Sequence, residues 1–392
     1  MTPIRVPGSK SLTHRAYVLA GASDQPCTIR GALRSQDTDA TLQCIQALGA
    51  QVEVGDTIRT RPGYAEPAQL DCANAGTGLR LLMGQAALRK HAITLTGDAS
   101  LQSRPNQPLV DALQALGVQV RGDNAPVTVH GPLHHGTVAI DASSSSQFAS
   151  SLLLALPQVE GPSKLELSGV SSRPYLDLTL DMARQFGLRI DHDFSMPGGD
   201  VPRAMCVDVE GDWSTAAFPL VAGALLGRAH VAGVDDGSRQ GDRRILDLLT
   251  AFGADVRGLD VRAGDLVSPG TIDVRDTPDL FPILCILAAH AEGTTTFTGG
   301  ESLRIKESDR IAAMAQGLAR IGIRVEPRND GLIVHGGRFK PGTVDAHGDH
   351  RIHMAFAIAA ALEPGIRVSD RGCEAVSYPQ FYEHLQRIQE AA

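Results

Sequence analysis

The chain has 392 residues, 43% of them hydrophobic, and a formal net charge of -8. That length suggests two domains, each large enough to bury its own core, and the composition excludes a disordered chain. The acidic balance excludes general affinity for nucleic acid or a membrane surface, so any cluster of basic residues is local and made for a small anion.

The first predicted element is a helix opening within "PGSKSLTHRA", where Lys10 sits between two serines and His14 and Arg15 precede an apolar run. A helix N-terminus presents free backbone N–H groups and a positive dipole end, so Lys10, Ser11 and Arg15 there suggest an anion pocket. From Thr28 the chain begins a plan that recurs from Thr94, Leu165, His230 and Thr296: a short β-branched strand, a turn, a polar loop, an amphipathic helix, a glycine and another strand. The closing glycines Gly49, Gly117, Gly187, Gly253 and Gly322 lie 68, 70, 66 and 69 residues apart by subtraction, and a degenerate sixth copy starts at Ile366. Ahead of each copy runs a second, more apolar helix. These helices open at Lys10-Ser11, Asn74 to Thr77, Ser145-Ser146-Gln147, Asp212 to Thr215, Asp279 and Asp349-His350-Arg351. Lacking a broad polar face, they are predicted to be buried. Six strand-helix-strand-helix units grouped three to a domain predict an α/β (α+β) protein of two globular domains, since the repeat is long for a solenoid. Helix starts gathered on one face of each domain would make a strongly positive field lined by anion ligands and acid/base groups.

Nine motifs in order carry a resemblance: "PGSKSLTHRA", "NAGTGLR", "SRPNQPLVDAL", "SSSSQF", "SRPYLDLTL", "PDLFPIL", "LRIKESDRI", "DHRIHMAF" and "YPQFYEHL". Across nearly its whole length the chain resembles the 5-enolpyruvylshikimate-3-phosphate synthase family of enolpyruvyl transferases. The resemblance implies an inside-out α/β barrel fold, two domains of three βαβαββ units each. The domains expected are 1–9 with 211–392, carrying phosphoenolpyruvate-side residues, and 10–210, carrying shikimate 3-phosphate-side residues. The reaction implied moves the enolpyruvyl group of phosphoenolpyruvate to the 5-hydroxyl of shikimate 3-phosphate and releases phosphate. No cofactor, metal, nucleic acid or membrane is implied, and a monomer is expected.

By the same resemblance, Lys10, Arg104 and Gln147 hold the phosphoenolpyruvate phosphate near Asn74, Gly76 and Thr77, and Arg310 and Arg351 clamp its carboxylate. Ser145, Ser146 and Ser172 take the phosphate of shikimate 3-phosphate, with Lys10, Ser11, Arg15, Gln147, Tyr175, Asp279 and Lys306 around the rest of it. Asp279 is implied to accept the hydroxyl proton and Glu307 to handle the proton at C3, with Lys10 and Lys306 sharing in the transfers. Two positions depart from the family pattern, Ser302 and Val376; the family usually has a lysine at the second, and Arg371 is the candidate substitute. His347, His350 and His353 have metal-like spacing, but Arg351 among them would repel a cation.

Two relatives compete with this reading. A sister transferase acting on a UDP-linked amino sugar would carry a loop with a reactive cysteine, which is not found here. The RNA 3′-phosphate cyclase family would want a broad basic surface. A catalytically impaired anion-binding relative is the third alternative. The six cysteines form no C-x-x-C pair, the N-terminal stretch lacks an apolar signal-like run, and the apolar run 280–289 is too short to span a bilayer. A cytoplasmic protein with reduced thiols is therefore expected.

Overall fold

A computed structural model of the chain describes residues 2–391. Six apolar helices organise it: Lys10–Ala22 (α1), Gly76–Ala87 (α2), Ser146–Ala155 (α3), Trp213–Leu226 (α4), Phe281–His290 (α5) and His350–Leu362 (α6). Every residue of α2 is buried, as is α4 through Leu225 and α5 through Ala289. A helix apolar on all sides has no face to give to water and is stable only inside a layer of other elements. Here that layer is made of sheets and outer amphipathic helices, which is the inside-out arrangement. No helix among the described residues is long and apolar enough to cross a membrane.

Four of the six apolar helices are crossovers between parallel strands that pair with each other. Gln69–Asp71 pairs with Ala92–Thr96 around α2, Thr137–Asp141 with Ser163–Ser168 around α3, and Thr271–Asp273 with Thr294–Thr298 around α5. Gly342–Val344 and Ile366–Val368 do the same around α6. Around α1 and α4 the partners are exchanged. Ile4–Arg5, which leads into α1, pairs with Arg228–Ala232 in the register Ile4↔Val231; Cys206–Asp208, which leads into α4, pairs with Cys27–Arg30.

That exchange accounts for the domain division. The chain forms two compact units, Gly8–Glu210 and the remainder up to Pro7 and from Gly211 onward, each with its own cluster of buried apolar side chains. The first boundary falls two residues earlier than expected. The reason is local: Ser9 caps α1 and its N–H donates to Glu210 O at 2.8 Å, so both belong with that helix. Gly8 must be a glycine, because a Cβ there would lie 1.8 Å from Gly31 O; a Cβ at Gly211 would lie 2.3 Å from Gly233 O.

The repeating glycines have one physical cause. Gly49, Gly117, Gly187, Gly253 and Gly322 all adopt positive φ, between 76° and 112°, just past the outer helices Gln36–Ala47, Gln107–Ala115, Arg173–Gln185, Ile245–Phe252 and Arg310–Arg320. In every copy the glycine N–H and the next N–H turn back onto the last helical carbonyls, as Gly253 N to Thr250 O and Ala254 N to Leu249 O at 3.0 Å each. This is the Schellman pairing, closed by a buried apolar residue after the glycine. The copies are not equal in their sheets. Four are four-stranded, but the third has three strands and the sixth two.

Candidate active site

The expected site residues fall on both units. In Gly8–Glu210 two of the three apolar helix starts are capped by neutral hydroxyls. Ser9 Oγ accepts from Leu12 N, Ser145 Oγ accepts from Gln147 N at 3.3 Å, and α2 has no side-chain cap. Their dipole ends are therefore not neutralised by carboxylates, which favours an external anion. Lys10, the first residue of α1, donates to Asp37 Oδ2 at 3.1 Å. Gln147 Nε2 donates to Thr77 Oγ1 at 2.8 Å, joining the starts of α2 and α3, and its Oε1 accepts from Arg80 Nη1 at 2.7 Å.

Arg104 is buried and its Nη2 donates to Asn74 Oδ1 at 2.6 Å and Ser100 Oγ at 3.1 Å, while Asn74 Nδ2 donates to Asp98 Oδ2 at 2.7 Å. A Cβ added at Gly76 would lie 2.9 Å from Arg104 Nη1, so glycine leaves the space in which this guanidinium sits. Ser172 stands in the left-handed region at φ 55°, immediately before the helix Arg173–Gln185, with Ser146 and Ser172 both buried and Ser145, Ser11 and Tyr175 half-buried. A non-glycine residue held there costs about 1 kcal/mol or more and is concentrated at functional positions.

Arg15 is placed differently from a surface ligand. It is 1% exposed, and its guanidinium donates to Thr179 Oγ1 at 2.8 Å, Ser11 O at 2.7 Å, Tyr175 O at 3.0 Å and Ser150 Oγ at 3.4 Å. Burial pushes it down to about 10, which still leaves it charged. It stitches α1 to α3 and to the helix that carries Tyr175.

In the other unit the helix starts are capped by carboxylates, Asp212 for α4 and Asp349 for α6. Arg310, 1% exposed, is the hub. Its Nε donates to Asp349 Oδ2 at 2.8 Å, Nη1 to Asp279 Oδ1 at 2.9 Å and Nη2 to Glu307 Oε2 at 2.8 Å. Arg351 Nη2 lies 3.0 Å from the other oxygen of Asp279, and Ser308 Oγ donates to Asp349 at 3.1 Å. Burial alone would raise Asp279, but Arg351, Lys306 and Arg310 together hold its carboxyl well below the usual carboxylate range. Arg310 moves up: burial opposes its charge, and Asp349, Glu307 and Asp279 overcome that.

Candidate phosphoenolpyruvate ligands thus lie in both units, not in the discontinuous one alone: Lys10, Asn74, Gly76, Thr77, Arg104 and Gln147 in one, Arg310 and Arg351 in the other. Sequence reasoning missed Arg80, which aims Gln147, and Asp349 as the anchor of Arg310. Arg80 lies three residues after Thr77, on the same helix face; Asp349 had a helix-cap signature but no sign of its distant partner. Among the described residues no group of three or more His, Cys, Asp and Glu is placed to hold a metal. His353 is taken up by Ser369 O and Tyr382 Oη, each at 2.6 Å.

The sequence profile of the family EPSP synthase (3-phosphoshikimate 1-carboxyvinyltransferase) matches residues 2–385. The chain is 40% identical to the 3-phosphoshikimate 1-carboxyvinyltransferase of Methanothrix thermoacetophila over 97% of this chain and 94% of that one. It is 39% identical to that of Methanocorpusculum labreanum, over 98% and 95%. A solved EPSP synthase structure from Acinetobacter baumannii superposes with a TM-score of 0.76 at 31% identity, covering 98% of this chain and 95% of that one. With the family profile matched over residues 2–385 and relatives about 40% identical over nearly the whole chain, it belongs to the EPSP synthase family of enolpyruvyl transferases.

Proposed function

We propose that the chain carries out its family's reaction, transfer of the enolpyruvyl group of phosphoenolpyruvate to the 5-hydroxyl of shikimate 3-phosphate with release of phosphate, and that the two sets of residues above divide the work. The observation that carries the assignment of roles is the Arg310 hub, because it supplies two guanidinium forks and three carboxylates at adjoining helix starts. In the unit Gly8–Glu210, Ser145, Ser146 and Ser172 hold the phosphate of shikimate 3-phosphate, and Ser11, Arg15 and Tyr175 shape the pocket for its ring. Lys10, Arg104 and Gln147, with Asn74, Gly76 and Thr77, hold the phosphate of phosphoenolpyruvate.

In the other unit Arg310 and Arg351 clamp the phosphoenolpyruvate carboxylate, for which a planar guanidinium fork is well matched. That carboxylate competes with Asp279 for the same forks. As it binds, the grip that holds Asp279 low is relaxed, and the side chain becomes a better base at the moment a hydroxyl arrives. Asp279 takes the 5-hydroxyl proton, the hydroxyl oxygen bonds to C2, and Glu307 delivers a proton to C3, giving a tetrahedral intermediate. Glu307 then removes a C3 proton as the bond from C2 to the phosphate oxygen breaks, and the departing phosphate carries off the proton held on Asp279. Lys306 and Lys10 balance the charge that develops at each stage.

No cofactor enters this scheme. A monomer in the cytoplasm, acting on small molecules and not on nucleic acid, fits the acidic balance and the free cysteines. Calorimetric titration with shikimate 3-phosphate, UDP-N-acetylglucosamine and ATP tests the acceptor. Saturable heat with the first alone is expected, and binding of either nucleotide in its place would refute the reading.

A further inference from the structure

One buried carboxyl beside the Arg310 hub has no role in the scheme above. Asp242, on the short turn Gly241–Arg244 next to the start of α4, is 2% exposed. Its Oδ2 accepts from the hydroxyl of Ser214 at 2.5 Å, while Oδ1 is buried with no hydrogen-bond partner. The turn is fixed in place: Gln240 Oε1 accepts from Trp213 N at 3.1 Å and Gln240 Nε2 donates to Gly211 O at 2.8 Å. The Asp242 carboxyl is therefore held in one place beside the start of α4.

The charged groups facing it come from three helix starts. They are Asp212 at α4, Asp279 ahead of α5 and Arg351 at α6. On its own turn, Arg244 donates to Asp273 O at 2.8 Å and Arg243 lies 4.0 Å from Asp236, so neither is bound to it. An ionised carboxylate with one oxygen left without a donor is costly in such a place. Burial first, and the charge of Asp279 second, push the carboxyl up to about 7, with Ser214 and Arg351 pulling the other way.

We propose that Asp242 is a proton-storing positioning residue of this half-site, which takes one proton from solvent onto Oδ1 when the carboxylate of phosphoenolpyruvate reaches Arg351 and Arg310. This rests on the carboxylate roles proposed above for those two arginines. An arriving anion cancels the field of Arg351 at Asp242, and with it a stabilisation of the ionised form. The O–H bond formed on Oδ1 is the only covalent change, and the proton comes from the buffer. The filled site then carries one negative charge fewer, so the arginine forks face the substrate and Asp279 without a third full charge behind them.

Infrared difference spectra of the full chain, with the Asp242→Asn spectrum subtracted under the same conditions, read this proton directly. About one pH unit below neutral, a protonated-carboxyl band is expected; about one unit above, it fades, and adding phosphoenolpyruvate restores it. Ser214→Ala, which removes a hydrogen bond favouring the ionised form, moves the fading to higher pH and keeps the test open if Asp242→Asn does not fold. Over the same interval the KM for phosphoenolpyruvate rises by about three- to tenfold in the wild type and stays flat in Asp242→Asn. No band near neutral, a fade unmoved in Ser214→Ala, or a band that ignores phosphoenolpyruvate while turnover proceeds would overturn the inference. Failure of the underlying reading looks different: the wild type would then not turn over shikimate 3-phosphate and phosphoenolpyruvate at any pH.

Discussion

Replacing Asp349 by Asn keeps the shape of the side chain and removes one charge and one acceptor. Asp349 is fully buried, and its oxygens serve four donors. Oδ2 accepts from Arg310 Nε at 2.8 Å and Ser308 Oγ at 3.1 Å, while Oδ1 accepts from Arg351 N at 2.9 Å and Arg310 Nη2 at 3.3 Å. An asparagine has one oxygen, so its NH2 must face donors on one side or the other. Losing the helix cap alone costs about 1 kcal/mol. Breaking a buried ion pair by removing one partner costs about 3–5 kcal/mol, reduced in this case because Asp279 and Glu307 still hold the guanidinium. We expect about 3 kcal/mol, or a fall in melting temperature of roughly 6–12 °C for a unit of this size. Trp213, the single tryptophan, is fully buried in the unit that contains Asp349, so urea unfolding followed by its fluorescence reports that unit. A loss below about 1 kcal/mol would refute the reasoning, since a buried network cannot lose its central anion that cheaply.

Asp279→Asn should leave both substrates bound while kcat falls by about two to four orders of magnitude, the usual contribution of a general acid or base; steady-state kinetics with near-normal turnover would remove Asp279 from the mechanism. Gly76→Ala pushes on Arg104 Nη1 at 2.9 Å and should raise the KM for phosphoenolpyruvate by about tenfold with less effect on shikimate 3-phosphate; equal change in both would contradict the placement. Gly187→Ala meets nothing within 4 Å and should cost only the left-handed strain of about 1–2 kcal/mol, whereas Gly253→Ala also drives a Cβ to 2.5 Å from Asp265 O and should cost about 1–3 kcal/mol more. Thermal unfolding that ranks the two the other way would show that the glycines are not alike. His14 is buried with its Nδ1 on Thr41 Oγ1 at 2.8 Å, and burial, then Lys10 and Arg15, hold its imidazole well below the ordinary value. Its stability contribution is complete above about pH 6.5 and is lost as the unfolded chain takes up the proton, costing about 1.4 kcal/mol by pH 5.5. His14→Gln should flatten that slope in urea unfolding followed by circular dichroism, and an unchanged slope would assign it to other groups.

What the sequence made legible follows from how local the governing forces are. The Schellman glycines, the serine and aspartate caps and the helices apolar on every side are each decided within a few residues. The six-fold repeat was therefore visible without the structure. The exchange of Ile4–Arg5 and Cys206–Asp208 between sheets was not, because two- and three-residue strands carry almost no pattern and their partners lie some 200 residues away. Arg15 had the right type and place for a ligand, yet only packing against Thr179 and Ser150 reveals how completely it is enclosed. Arg371, the candidate substitute for a lysine at Val376, lies with its guanidinium 4.6 Å above the Tyr382 ring, a contact no spacing rule foresees.

The most direct test of the account is phosphate release by the purified protein supplied with shikimate 3-phosphate and phosphoenolpyruvate, with the organic product identified by phosphorus and proton NMR. The account predicts stoichiometric phosphate and an enolpyruvyl ether at the 5-position, formed only when both substrates are present. Phosphate released without the ether, or no turnover while UDP-N-acetylglucosamine is converted in the same assay, would contradict it.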